Sequence, residues 1–282
     1  MQNQALAWAV PVMRAGYAGR GLVYCVVAGF SLFAIWQGGQ AKGTSSALQQ
    51  LESSLWGSIV LFLIFAGLVS YAIWRFCDSI FDLDDHGTDA KGVVARVNMF
   101  IIGLLNLGLG LTAFLLLFTA RGDGGGSSTT GAINAVLGLP GGRLIVGAAG
   151  LVIIAAGIHY AYRGWTEKYR GCLQANHFTT HWNWALKAGL TAKGAVVGII
   201  GLLVVYAALR SSPDEAGGVG EAFSWLTGQP YGRILVAAIC LGLLGFALYC
   251  FVNAAYRIVP KVASPDIETL ASRLETTVRQ AI

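Results

Sequence analysis

Six apolar runs divide the chain, at about residues 22–37, 57–76, 97–119, 142–163, 188–209 and 232–254. Each approaches the roughly 20 residues that cover a bilayer core. Charges stand at the ends of the runs, aromatic residues at their edges, and no run has the polar face of a surface helix. Between the runs of a pair lies a polar loop with a short amphipathic piece. In the first such loop Ala47, Leu48, Leu51 and Leu55 recur at helical spacing, with Gln49, Gln50 and Glu52 on the other side. Backbone groups within lipid must be satisfied inside their own segment, so helices are expected throughout.

The pattern recurs in one register, and repeats of this length are read before anything else. Gly21 aligns with Gly103 and Gly194; Arg14, Arg96 and Lys187 each stand seven places before these glycines. Ala47, Ala132 and Ala222 each precede Gly57, Gly142 and Gly232 by ten, and Leu51, Val136 and Leu226 follow those alanines by four. Tyr71, Tyr162 and Tyr249 close the second helices. The expected architecture is all-α and polytopic: six transmembrane helices as three tandem helix-hairpin repeats, followed by a short amphipathic tail helix. Its segments are an interfacial lead (1–13), repeats at 14–84, 95–170 and 186–260, and a tail (261–282) in which Ile267, Leu270, Leu274 and Val278 share a face. The six register glycines (Gly21, Gly103, Gly194, Gly57, Gly142 and Gly232) are expected to let helices approach closely.

Composition agrees. The chain is 55% hydrophobic and 12% charged, where a soluble domain carries about 25% charge. Of nineteen lysines and arginines, five (Lys42, Arg121, Arg143, Arg210 and Arg233) fall in the odd-numbered loops. The positive-inside rule then places both termini in the cytoplasm. That asymmetry accounts for much of the net charge of +5, and no basic patch interleaved with aromatics points to nucleic acid. Arg14 and Arg20 resemble the charged start of a signal peptide, but no small-residue cleavage site follows, and the first run is expected to be retained. Cys25, Cys240 and Cys250 lie in runs and Cys77 and Cys172 in the even loops, so no disulfide framework is expected.

Candidate chemistry is sparse. The loop Asp82-Leu-Asp84-Asp85-His86-Gly87 lacks the twelve-residue pattern of a calcium loop and reads as a solvated turn, with Asp84 or Asp85 as a cap. The glycine-rich stretch after Arg121 lacks the Gly-Lys-Ser/Thr of a phosphate loop. Asn106 is expected to bond to a neighbouring helix. His159 reads as the one ionisable residue inside a span, which marks it as a candidate. His177 and His181 share a helical face, and with Cys172 they offer metal-ligand chemistry. They form no closed ligand set, and the flanking Trp165, Trp182 and Trp184 favour an interfacial segment. No cofactor is expected.

The run Arg14, Gly16-Tyr17-Ala18, Arg20-Gly21 and Tyr24, with Ala47-Leu48, Gly57, Trp74-Arg75, Asp82, Gly87, Gly92 and Arg96, resembles the bacterial membrane family catalogued as domain of unknown function 1206. The resemblance covers about residues 14–257. The second repeat departs from it, with Asn98 and Met99 in place of Gly16 and Tyr17, and the third keeps Gly189 but has Leu190. It implies three tandem helix pairs in a bacterial inner membrane and supplies no activity. Three functions are therefore weighed: a non-catalytic accessory or scaffold subunit held to another membrane protein or to itself; a channel or carrier for a small neutral solute; and a metal or redox protein. The absence of a nucleophile triad or carboxylate pair disfavours a hydrolase.

Overall fold

A computed structural model of the protein describes residues 8–39, 43–51, 55–118, 142–210, 219–228, 230–260 and 269–273. Six helices in it are long and apolar enough to cross a bilayer. They are α1 (Ala9–Trp36), α3 (Leu55–Phe81), α4 (Ala90–Phe118), α5 (Gly142–Trp165), α7 (Asn183–Arg210) and α9 (Gly232–Tyr256). Three short helices lie between them: α2 (Thr44–Leu51), α6 (His177–His181) and α8 (Val219–Thr227). Two isolated antiparallel bridges, Leu173 with Arg257 and Gln174 with Thr269, are the strand-like contacts among the described residues.

The long helices pack in chain order. α1 lies on α3 and α3 on α4; α5 lies on α7 and α7 on α9; α9 returns to pack on α1. The second repeat's own helices, α4 and α5, have no comparable contact, and they are the least covered of the six. Exposed aromatics mark the two ends of the bundle. Trp36, Trp56 and Tyr231 stand at the far end; Trp8, Phe81, Trp165 and Trp184 stand at the near end, where α1 begins and α9 finishes. Such girdles fit the two interfaces of a bilayer.

The helices outrun the apolar stretches at the near end. α1 begins at Ala9, not near residue 22, so residues 9–13 of the expected interfacial lead belong to the first long helix. Ala9, Met13, Gly16 and Tyr17 fall at helical spacing and are buried on one face. Pro11 costs little there, because the first-turn N–H groups have no intrahelical acceptor. Arg14 and Arg20 of α1 and Asp78 of α3 thus lie inside helices long and apolar enough to cross a membrane, as do Arg75 and Lys193, which runs 57–76 and 188–209 already contain, and His159 is not the one ionisable residue within a span.

Glycine sets the closest approaches. On α5, Gly150, Gly157 and Gly164 recur every seven residues, and a Cβ on Gly157 would stand 2.6 Å from Gly198 N on α7. Gly16 meets Tyr71 backbone and Gly19 meets Gly67 where α1 crosses α3. The expected tail helix falls largely outside the described residues. Leu270, which is described, does not lie on a membrane surface: it is fully buried, and its N–H donates to Leu173 O at 2.8 Å. The amphipathic piece around Ala132 to Leu139 also lies outside the described residues.

Candidate functional site

Most buried polar groups converge at the near end, on α1, α3, α7 and α9. The first layer is a balanced quartet of two arginines and two aspartates. Arg75 Nη1 lies 3.0 Å from Asp78 Oδ2 and 3.9 Å from Asp84 Oδ2, while Arg257 Nη2 lies 2.5 Å from Asp84 Oδ2. Arg257 also donates from Nη1 to Asn253 Oδ1 at 3.3 Å, and its guanidinium stands over the Tyr17 ring at 5.5 Å. The loop after α3 is folded to present Asp84. Asp82 and Asp85 adopt left-handed backbone conformations, Asp82 carboxylate oxygens accept from His86 N and Gly87 N, and Asp78 Oδ1 accepts from Asp84 N. Asp84 is therefore no solvated cap. Asp82 supports the turn, and Asp89 accepts from Gly92 N at 2.9 Å at the start of α4. Burial pushes the Asp84 carboxyl up, but the facing Arg257 and Arg75 together outweigh it and hold the group below the ordinary carboxylate range.

The second layer, deeper along α1, is basic and aromatic. Arg75 Nε and Arg20 Nη1 both donate to Tyr71 Oη, at 2.9 and 2.6 Å, and Arg75 Nη2 donates to Tyr17 Oη at 3.2 Å. Lys193 Nζ donates to Tyr24 Oη. Phe246 of α9 stands beside both deeper cations, 5.9 Å from the Arg20 guanidinium and 5.8 Å from Lys193 Nζ, with Tyr24 packed edge-on at 4.8 Å. Phe246 in turn stacks on Tyr249. Cations over aromatic faces gain electrostatic attraction that grows as water is removed.

The tyrosine register divides. Tyr71 and Tyr249 are buried in this core, whereas Tyr162 is exposed, with Lys168 Nζ 4.8 Å above its ring. It sits on α5, the helix at the uncovered edge. Asn106 does not bond to a neighbouring helix: its Nδ2 donates to Ile102 O, one turn back on α4, at 2.7 Å. His159 is exposed on α5. His177 and His181 are exposed on α6 with their rings stacked 6.1 Å apart, and Asn176 caps that helix through a reciprocal bond with Thr179. Cys172 is half-buried, at the end of a 3-10 turn. Among the described residues no three His, Cys, Asp or Glu side chains converge as metal ligands do.

The register glycines sit at close contacts. A Cβ on Gly21 would stand 2.7 Å from the Phe251 ring, on Gly103 2.8 Å from Phe76, and on Gly194 2.6 Å from Ala161 N. Gly57 and Gly232 lie against the last carbonyls of α2 and α8, where the short helix turns into the long one, and Gly142 is buried at the start of α5. The residues sequence reading passed over are Tyr17, Arg20, Tyr24, Arg75, Asp78, Lys193, Asn253 and Arg257. One signal was present: Arg20 and Lys193 each stand immediately before a register glycine, where the second repeat has Ile102.

Three segments, residues 15–82, 97–167 and 188–257, match the profile of the family described as Domain of Unknown Function (DUF1206). An uncharacterized protein of Bacillus subtilis (strain 168), YxxB, is 26% identical over 265 residues, covering 91% of this chain and 94% of that protein. No solved structure matches the chain. The matched segments span the three helix pairs in order, with Arg20 in the first and Lys193 in the third, and the chain belongs to the DUF1206 family.

Proposed function

We propose that the protein is a non-catalytic scaffold or accessory subunit of a bacterial inner membrane, with both termini in the cytoplasm. The observation that carries this reading is how the near end is closed. Asp84 of the first near-end loop is paired with Arg257 beyond α9. Leu173 of the second near-end loop bridges to Arg257, and the segment beyond returns to bury Leu270 beside it. Aspartates and arginines that would line an open vestibule are bound to one another instead. A near face closed by ion pairs suits a contact platform better than a gate that must open and close. The excess of lysine and arginine on this side favours the cytoplasm for it.

Two measurements test the reading. Tags at either end should survive external protease in spheroplasts; cleavage there reverses the orientation. Crosslinking in native membranes before mild-detergent purification should yield a stoichiometric membrane partner or a second copy. Proteoliposomes of the pure protein that pass small neutral solutes above the lipid background would replace the scaffold with a channel or carrier.

A further inference from the structure

We propose that Arg20 and Lys193, with Tyr24, Tyr71 and Phe246, form a binding site for a phosphate-type anion within the near half of the bundle. It extends beyond the scaffold reading and does not rest on it.

The argument is one of charge balance. In the outer layer of the cluster two arginines face two aspartates, and the charges cancel. In the deeper layer two cations face phenols and a phenyl ring. Among the described residues neither Arg20 nor Lys193 has a carboxylate partner, and Asp78 and Asp84 are already engaged by Arg75 and Arg257. Both cations lie within 5.9 Å of one ring centroid, so they share one locality. Phenols and π faces solvate a cation but do not neutralise it. A pair of like charges inside a membrane-spanning bundle calls for an opposite charge, since ionisable groups at that depth are paired or functional.

The chemistry of the groups narrows the ligand. A guanidinium offers five donors in a planar fork that matches phosphate or carboxylate oxygens in pairs, and an ammonium adds a compact point charge. Arg20 spends one donor on Tyr71 Oη. Tyr71 Oη already accepts from Arg20 and Arg75, so its two lone pairs are filled and its own O–H is left as a donor. Fork, ammonium and phenol supply donors from three helices within one locality, a donor set of the kind a tetrahedral oxyanion takes. Neither cation is fully buried. Both belong to equivalent positions of the first and third repeats, each followed by a glycine in close helix contact. The isoleucine at this position of the second repeat, on the outlying α4, leaves the pair as two.

A phosphate group reaches this depth either as a free anion or as the headgroup of an anionic lipid. Thermal unfolding of the full-length protein in a neutral detergent separates them. One arm titrates inorganic phosphate; the other adds phosphatidylglycerol against phosphatidylcholine. A saturable rise in melting temperature with phosphate assigns the site to a soluble anion, and a rise with phosphatidylglycerol alone assigns it to a headgroup. In Lys193→Met and Arg20→Gln the response should weaken roughly tenfold or more, as loss of a charge-assisted contact does. Lys193→Met should also melt no lower than the native protein without anion, because a like-charge neighbour is gone. A purely structural lysine would show the reverse. Lys187→Gln, at the half-buried pair with Glu167, should keep the full response. Failure of the native protein to respond to either anion, or an equal response in both cluster variants, overturns the site.

Discussion

Asp84→Asn should lower the stability of the detergent-solubilised protein by roughly 3–5 kcal/mol, the range for removing one partner of a buried ion pair. The Asp84 side chain is 10% exposed and that of Arg257 4%, and they meet at 2.5 Å. Without the carboxylate, Arg257 retains one bond to Asn253 and the Tyr17 ring, while its Nε has no protein partner even in the native cluster. A charge left in that state is the costly part. Arg257→Met alone should cost a similar amount by orphaning Asp84, and the double variant should recover part of the loss. A double-mutant cycle reads that coupling directly. The pH dependence has a fixed sign. Asp84 is depressed in the folded state, so its contribution is complete above the ordinary carboxylate range and is lost as pH falls through the folded value. Native protein and Asp84→Asn should therefore differ at neutral pH and converge in acid. A variant that melts with the native protein at pH 7 would show that the pair does not hold the near end shut.

The six spans and the three repeats were legible because each rests on a local signal: about twenty apolar residues, or a glycine and an alanine at fixed spacing. The buried site was not, for two physical reasons. The first apolar run, 22–37, begins just past Arg20, and Arg75 and Lys193 fall near the ends of runs 57–76 and 188–209, where a charge is read as a flank. Here the near third of the bundle has a polar interior, and the helices continue through it with those charges turned inward. The second reason is distance along the chain. Asp84 finds its partner 173 residues away and Lys193 finds Tyr24 169 away, so nothing beside Asp84 in sequence distinguishes it from a solvated turn residue. Of the tyrosine register, Tyr71 and Tyr249 are buried in the polar core and Tyr162 is exposed, because identical register does not give identical neighbours when α5 lies at the edge. His177 and His181 were correctly placed on one helical face. What periodicity could not supply was a third ligand beside them.

The second large effect should come from a single methyl group. Gly189→Ala is expected to destabilise the protein by about 3 kcal/mol, at the upper end for overpacking a tight core. A Cβ at Gly189 of α7 would fall on the carbonyl carbon of Gly245 and the amide nitrogen of Phe246 in α9. Both are backbone atoms of a long helix, so no side chain can turn aside, and the two helices must separate. That displacement carries Phe246 away from Arg20 and Lys193, so the same variant should lose its response to anions as it loses stability. Gly245→Ala should be milder: its Cβ would stand 3.0 Å from Ala185 O and 3.3 Å from Gly189 Cα, distances that small shifts relieve. Gly29→Ala should have the opposite sign. No atom lies within 4 Å of a Cβ there, and alanine in a helix is favoured over glycine by about 1 kcal/mol. The predicted order of melting temperatures is Gly29→Ala at or above the native protein, then Gly245→Ala, then Gly189→Ala. If Gly189→Ala melts beside Gly29→Ala, α7 and α9 are not in backbone contact, and Phe246 is not held beside the two cations.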